Sequence, residues 1–389
     1  MDFRLTDEQR MIAETASQVG KRFAVEYWRD LDHRKTFPRE FWQAIIDAGL
    51  IGTALPENYG GSGLGMTEMA IIIEELSAAG GGPTVGQLFM LGPIFGGYAV
   101  LRFGSEEMKR DLLPKIAAGE IVSLGLTEPN AGSNSFEIET FARKVGTGWR
   151  LDGRKIWITG VDSASRMLVV ARTRKVSEST RRSLGLSLFM IDIARKGVSY
   201  AVIEKAGTNT LSASSVFFDD VQISDNELVG TLDGGWHHLV DVLNCERIAT
   251  TAAIVGGGRL AIRLGIDYAN QRRVFDGRQI SSYQGLQFPI AQAHIELEAA
   301  RLLNFKAAWL FDNGEPNAAE ANAAKLIAAR AAELATDRSM QMMGGMGYAR
   351  ESDVERLWRD TRLFRIAPVA EEMILNYVAV HNLGMPRSY

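Results

Sequence analysis

The hydrophobic periodicity of this chain changes twice along its length, and that change limits the possible folds more than any other feature. Through residues 1–119, apolar residues recur at helical spacing in segments separated by Gly- and Pro-rich turns. Across residues 120–226, the apolar runs are short, rich in Val, Ile, Phe and Trp, and bounded by turn residues, which is typical of β-strands. From residue 227 to 389, long Ala- and Leu-rich segments without strand signals predict a helical bundle. The sequence therefore predicts an α+β chain in which a β domain lies between two helical domains.

The first predicted helix has a start signal of its own. Thr6 and Gln9 have capping-box spacing, in which each side chain accepts a hydrogen bond from the backbone N–H of the other. Ile12, Ala16 and Val19 follow on one helical face. We therefore expect a helix that begins just after Thr6 and packs on its apolar side.

Charge and cysteine usage exclude several classes of protein. Lys and Arg total 43 against 47 Asp and Glu, a net charge of −4 with no basic stripe, so nucleic acid is not an expected partner. Cys245 is the only cysteine, so no intrachain disulfide forms and a reducing compartment is expected. The N-terminal MDFRLTDEQR has no signal-peptide core, and no uninterrupted apolar run approaches the roughly 20 residues of a spanning helix. A cytoplasmic protein without a membrane segment is expected.

Searches for common catalytic signatures are negative. The five histidines lack HExxH or Cys/His zinc spacing, so no metal site is predicted. No GxGxxG follows a strand and opens a helix, which argues against a dinucleotide-binding Rossmann unit. No GxSxG nucleophile elbow is present either.

Two segments of the β domain carry side chains suited to a polar, planar ligand. TEPNAGS places the Thr127 and Ser133 hydroxyls and the bare backbone of Gly132 in one loop that can approach a ring or a phosphate closely. In KIWITG, Trp157 offers a flat apolar face and Thr159 a hydroxyl on the same side of the strand. On these features alone, a plain turn explains TEPNAGS equally well, and a buried structural Trp is the better explanation of Trp157.

The order of these motifs along the chain resembles the acyl-CoA dehydrogenase family over essentially the whole length. The segments that match in order and spacing are PENYGGSGLG, TEPNAGS, WIT, FDDV, an ER pair on a helix, QRRVF, QMMGGMGY and the C-terminal RLWRDTRLFRI. The resemblance implies an N-terminal helical domain at 1–119, a middle β-barrel-like domain at 120–226 and a C-terminal four-helix bundle at 227–389.

The same resemblance implies a cofactor, partners and site residues. FAD would bind non-covalently between the middle and C-terminal domains, with part of its site supplied by a neighbouring subunit of a homo-oligomer, commonly a tetramer. An acyl-CoA would be the substrate, and an electron-transfer flavoprotein would take the electrons. Ser133, Asn244 and Arg247 would contact the substrate. The residues that the resemblance assigns to the cofactor, some of them to the cofactor of a partner subunit, are Leu124, Leu126, Thr127, Gly132, Ser133, Trp157, Ile158, Thr159, Arg272, Phe275, Gln341, Gly344 and Gly345.

The catalytic carboxylate departs from the position usual in the family. Most members carry it near the C-terminus in a motif similar to RIYEGTSE, and the matching stretch here, RIAPVAEE, has Pro368 at that position. A minority that resemble isovaleryl-CoA dehydrogenase and crotonobetainyl-CoA reductase place it on a bundle helix, where LNCER puts Glu246. Glu246 is therefore the candidate general base, with a structural Glu paired to Arg247 as the alternative. Glu371 and Glu372 lie close to the lost position and rank below Glu246.

The resulting hypothesis is FAD-dependent α,β-dehydrogenation of an acyl-CoA thioester, or the reverse reduction. By analogy, the helix-borne base favours a branched or β-substituted acyl group. Two alternatives stay open: an FAD- or CoA-binding subunit without activity of its own, and a flavin monooxygenase on the same fold. TEPNAGS argues against the monooxygenase.

Overall fold

The structure, a computed structural model, describes residues 4–388. Its first helix begins where the capping signal predicts, because the Thr6 hydroxyl accepts from the Gln9 N–H and the Gln9 side chain accepts from the Thr6 N–H, both at 3.1 Å. Ala16 and Val19 of this helix are buried. The α-helices that open the chain are α1 (Asp7–Lys21), α2 (Val25–Arg34), α3 (Arg39–Asp47), α4 (Met66–Leu76), α5 (Thr84–Phe89), α6 (Ala99–Phe103) and α7 (Glu106–Ala117).

One helical stretch of this region, Thr84–Phe103, is long and apolar enough to cross a membrane. The stretch is not the uninterrupted apolar run that a spanning helix needs, because Gly residues and Pro93 punctuate it and Arg102 carries a charge. Most of the stretch, 83%, is buried inside the protein, which is the behaviour of a core helix. Pro93 lies in a π-helical segment, Met90–Tyr98, where its missing N–H is tolerated.

An eight-stranded sheet follows the helices. Neighbouring strands have the order β6–β7–β3–β2–β4–β5–β8, and β1 pairs in parallel with β4. Leu151, Val169 and Phe189 come from three different strands and are fully buried in one core. The strands are β1 (Val122–Gly125), β2 (Phe141–Val145), β3 (Gly148–Thr159), β4 (Arg166–Arg172), β5 (Leu186–Asp192), β6 (Val198–Val202), β7 (Ala213–Ser224) and β8 (Leu228–Val229).

Long helices form the C-terminal region, with α8, α9, α10 and α12 packed side by side as a bundle. Small residues let these helices approach closely, since a Cβ at Gly265 of α8 would lie 2.9 Å from Met342 of α10. The elements are α8 (Gly235–Gln271), the hairpin β9 (Arg273–Val274) and β10 (Arg278–Gln279), α9 (Gln284–Asp312), α10 (Ala318–Met343), α11 (Gly345–Tyr348), α12 (Asp353–Arg362) and α13 (Glu371–Tyr377).

Ionic contacts join the N-terminal helices to the bundle. The buried Glu74 of α4 accepts from Arg259 of α8 at 2.5 Å and from Arg301 of α9 at 2.8 Å. At the start of α4, the Asp312 carboxylate accepts from the backbone N–H groups of Met66 and Thr67 at 2.7 and 2.9 Å. These contacts hold the N-terminal helices against α8 and α9, and the chain has the predicted order of helical, β and helical parts.

Candidate active site

A buried ion pair fixes the loop that follows β1. Lys155 of β3 donates from Nζ to the carbonyl of Leu126 at 2.9 Å and to Glu128 at 2.7 Å. Glu128 in turn accepts from the backbone N–H groups of Glu139 and Thr140 at 2.7 and 3.0 Å. Because both charged groups are buried, breaking these bonds would be costly, and the bonds therefore hold the loop in a single backbone conformation.

In both residues of this pair, burial shifts the pKa in one direction and the partner's charge shifts it in the other. Burial lowers the pKa of Lys155 to about 8, although Glu128 raises it. Burial would raise the pKa of Glu128, but Lys155 and the two backbone donors hold it below its usual range. The predicted site residues did not include this pair. A signal was available, because Glu128 stands inside TEPNAGS and Lys155 inside KIWITG, the two motifs already singled out.

Trp157 sits in a β-bulge next to that loop. The register between β3 and β7 shifts between Lys155 and Ile158, and Trp157 has φ +62°, a left-handed conformation that is rare for a bulky residue. The bulge leaves the Trp157 side chain 53% exposed, while Ile158 is buried. Strained residues of this kind concentrate at binding sites. The alternative of a buried structural Trp is therefore wrong.

The structure brings the two motifs into direct contact. The Ile156 N–H donates to the carbonyl of Thr127 at 2.9 Å, and the Ser123 hydroxyl donates to the carbonyl of Thr159 at 2.9 Å. Among the predicted cofactor residues, six thus lie in adjacent segments: Leu124, Leu126, Thr127, Trp157, Ile158 and Thr159. Gly132 and Ser133 are exposed farther along the loop, and a Cβ at Gly132 would have no neighbour within 4 Å.

Glu246 lies on α8, buried to 7% exposure. Burial raises the pKa of its carboxyl to about 7, and the charges of Arg247 and Lys325 offset only part of that rise. Neither cation bonds the carboxylate, since Arg247 donates to Asn244 at 2.8 Å and Lys325 donates to two backbone carbonyls. A carboxyl with this pKa exchanges its proton near neutral pH, which is the property a general base needs.

Of the predicted substrate residues beside Glu246, Asn244 is buried and Arg247 is partly buried. The Nε of Arg247 has no hydrogen-bond partner within residues 4–388. The Thr250 hydroxyl, one helical turn from Glu246, likewise lacks a partner in the part of the chain described here. Helical spacing places Thr250 on the same face as Glu246, so polar groups without protein partners adjoin the candidate base.

Glu371 has the opposite electrostatic character. It is paired with Arg365 at 2.7 Å and with Arg330 at 3.4 Å. The hydrogen bond from Arg365 lowers the pKa of Glu371 to about 2, with Arg330 adding to the effect. A carboxylate held this firmly in its ionised form is a weak proton acceptor, so the geometry favours Glu246 over Glu371.

The remaining predicted cofactor residues lie at the other end of the bundle. Arg272 follows α8 directly, 26 positions after Glu246, so the two are about 39 Å apart at a rise of 1.5 Å per residue. Phe275 of the neighbouring hairpin is 95% exposed, and Gln341, Gly344 and Gly345 are exposed at the end of α10. Within one chain, Arg272 therefore lies far from Glu246 along α8.

Comparisons with known proteins agree with this arrangement. Three family models match, described as the N-terminal, middle and C-terminal domains of acyl-CoA dehydrogenase, at residues 6–120, 123–221 and 233–382. The chain is 38% identical to acyl-CoA dehydrogenase fadE12 of Mycobacterium bovis over 99% of this chain and 98% of that protein. It is 31% identical to 3-(aryl)acrylate reductase of Clostridium sporogenes, over 93% and 94% of the two chains. The glutaryl-coenzyme A dehydrogenase structure superposes with a TM-score of 0.95 and 29% identity, over 100% and 98% of the two chains.

The residues near Trp157 fit the flavin that this family uses. An exposed aromatic face, a strand hydroxyl at Thr159 and an open glycine loop suit a planar polar ring. At the far end, Arg272 offers a guanidinium suited to phosphate oxygens. The sequence, the fold and the matches together show that the chain belongs to the acyl-CoA dehydrogenase family, whose members are FAD-dependent oxidoreductases acting on the CH–CH group of acyl-CoA thioesters.

Proposed function

We propose that this protein carries out α,β-dehydrogenation of an acyl-CoA, or the reverse reduction, with Glu246 as its general base. The observation that carries the proposal is the buried Glu246 carboxyl, whose pKa burial raises to about 7. The acrylate reductase among the relatives supports keeping both directions of the reaction.

The residues of this chain divide the work of the reaction. In the oxidative direction, Glu246 takes the proton from the carbon α to the thioester, and that bond's electron pair forms the double bond. When bound, FAD would supply the acceptor for the hydride that leaves the β carbon. Trp157 and Thr159 would contact the flavin ring, and the Glu128–Lys155 ion pair fixes the loop beside them. Because Glu246 is buried, water is kept from the proton that it removes.

The acyl group that we propose is substituted or branched near the β carbon. Arg247 Nε and the Thr250 hydroxyl are buried beside Glu246 and lack partners among the described residues. A polar substituent on the acyl chain would satisfy them, whereas a plain hydrocarbon chain would leave them unpaired at a cost of about 1–3 kcal/mol each.

The cofactor site that we propose is shared between subunits of a homo-oligomer, most simply a tetramer. The separation of about 39 Å between Glu246 and Arg272 along α8 exceeds the 30 Å diameter of a small domain. A second chain could place its own Arg272 and Phe275 near the loop at Trp157. Electron-transfer flavoprotein is the proposed electron acceptor, and the single buried Cys245 is compatible with a reducing cytoplasmic setting.

The test is anaerobic reduction of the flavin by a panel of straight, branched and β-substituted acyl-CoAs, together with exchange of the α-proton into deuterated water. Glu246→Gln should lower both rates by roughly 10²–10⁴-fold while FAD content stays unchanged. Glu315→Gln removes an exposed carboxylate of the same charge and serves as the control, while Glu371→Gln and Glu372→Gln test the competing positions.

The three alternatives, a structural Glu246, a binding subunit and a monooxygenase, each predict a different result in these experiments. If Glu246→Gln reduces the flavin at the wild-type rate, Glu246 is structural and the proposed base is wrong. If FAD-loaded wild type is bleached by no acyl-CoA until a second protein is added, the chain is a binding subunit. If bleaching fails but reduced flavin with oxygen converts a substrate, the monooxygenase alternative is correct.

A further inference from the structure

Lys325 of α10 lies where the bundle meets the C-terminal turn at 364–369. Its side chain is fully buried. Its Nζ donates to the backbone carbonyls of Phe364 at 2.5 Å and Val369 at 2.7 Å. Those two carbonyls flank the turn that carries Pro368, so one ammonium ties both ends of this turn to α10.

The same ammonium interacts with the charges around the candidate base. Its charged neighbours are Glu246 and Arg247 on α8 and Glu371 and Glu372 on α13. Burial, followed by Arg247, lowers the pKa of Lys325 to about 8, while the three carboxylates raise it. Since about 8 is above neutral pH, Lys325 is mostly charged when Glu246 loses its proton near pH 7.

We propose that Lys325 is a positioning residue for the reaction, one that fixes the turn at 364–369 and favours the ionised form of Glu246 by its charge. The inference rests on the proposed function, because it requires Glu246 to be the base. The ammonium contacts backbone carbonyls on one side, and on the other it stabilises the carboxylate by attraction through a poorly solvated interior. No other member of the cluster combines these two roles, since Arg247 donates to Asn244 on its own helix.

The test compares three variants by the pH dependence of anaerobic flavin reduction. Lys325→Gln removes the charge and keeps an amide donor, Lys325→Met removes both, and Lys325→Arg keeps the charge. Loss of the cation should move the acidic limb of the profile, which reports Glu246, upward by about one pH unit. Lys325→Arg should leave the limb near its wild-type position. Lys306→Met, which removes an exposed lysine of the bundle paired with Glu320 at 2.9 Å, is the matched control.

A second readout separates positioning from simple folding defects. FAD content and the thermal midpoint of each variant are measured with the rate, and a structural lysine would lower the rate without moving the limb. An unmoved limb in Lys325→Gln therefore overturns the inference, and this variant decides the question if Lys325→Met does not fold.

Measuring Glu246→Gln in the same series distinguishes the role of Lys325 from the assignment of Glu246 as the base. If it is inactive and the limb of Lys325→Gln is unmoved, the role of Lys325 alone is wrong. If it is fully active, the base assignment itself is wrong, and the inference is wrong with it.

Discussion

Burial of Glu246 prepares it for proton transfer and also destabilises the fold. Its pKa is raised from 4.5 to about 7 by desolvation. Between those two values, the unfolded chain has released the proton while the folded protein still holds it, so the unfolded state binds fewer protons. The free energy of unfolding therefore falls as pH rises through this window, and it is unaffected by this group below it.

We expect Glu246→Gln to relieve this penalty, because Gln is neutral at every pH. The variant should be more stable than the wild type above pH 7, by up to on the order of 3 kcal/mol, and the two should converge near pH 4.5. Thermal midpoints of the two proteins at both pH values check this, with Glu315→Gln, at an exposed carboxylate away from the site, as the control. A wild type that gains no relative stability on acidification would show that Glu246 is solvated or ion-paired.

Among the elements, β3 and the loop after β1 depend on one charge pair. Lys155 has no exposed surface, and Glu128 is 5% exposed. The pair's bonds to Leu126, Glu139 and Thr140 connect β3 to the loop that carries Thr127 and to the segment before β2. If the pair is broken, the loop loses the contacts that place it beside Trp157.

Lys155→Met should therefore destabilise the protein by about 3–5 kcal/mol, because it leaves the Glu128 carboxylate buried without a counter-charge. The double variant Lys155→Met with Glu128→Gln should recover part of this loss, since no net charge stays buried. Thermal unfolding and FAD retention after desalting are the measurements. Lys144→Met, at an exposed pair with Asp225, should change little. Equal losses at the two lysines would contradict the role of the buried pair.

The sequence predicted the elements better than their details, for physical reasons. Periodicity and the Thr6 cap identify the helical and β regions because they depend on neighbours along the chain. The continuous helical course of Thr84–Phe103 is hidden by its glycines and Pro93, which imitate a loop, whereas its burial is set by surrounding helices. The bulge at Trp157 depends on the register with β7, and the pKa of Glu246 depends on its burial in the folded protein and then on the charges of Arg247 and Lys325. Neither quantity can be read from local sequence.

At the scale of the whole molecule, one face of α9 has an apolar stripe that faces solvent in the single chain. Phe288, Ile295, Leu302 and Trp309 recur every seven residues, and each is more than half exposed. Seven residues are close to two helical turns, so the four side chains share one face over about 32 Å. Contiguous exposed apolar surface of this kind marks an interface. We propose a second copy of this chain as the occupant, because it would also account for the separated cofactor residues.

Leu302→Glu, a charge in the middle of the stripe, should convert the oligomer to a smaller species by light scattering. Met11→Glu, at a 68% exposed residue of α1, is the control and should not. Arg272→Ala should keep the oligomer and lose FAD more readily on desalting, because its guanidinium is proposed to reach phosphate oxygens across the interface. If Leu302→Glu keeps the wild-type mass, the stripe is not an interface. If the wild type is an FAD-saturated monomer, the shared cofactor site is wrong, since Arg272 is about 39 Å from Glu246 along α8 of one chain.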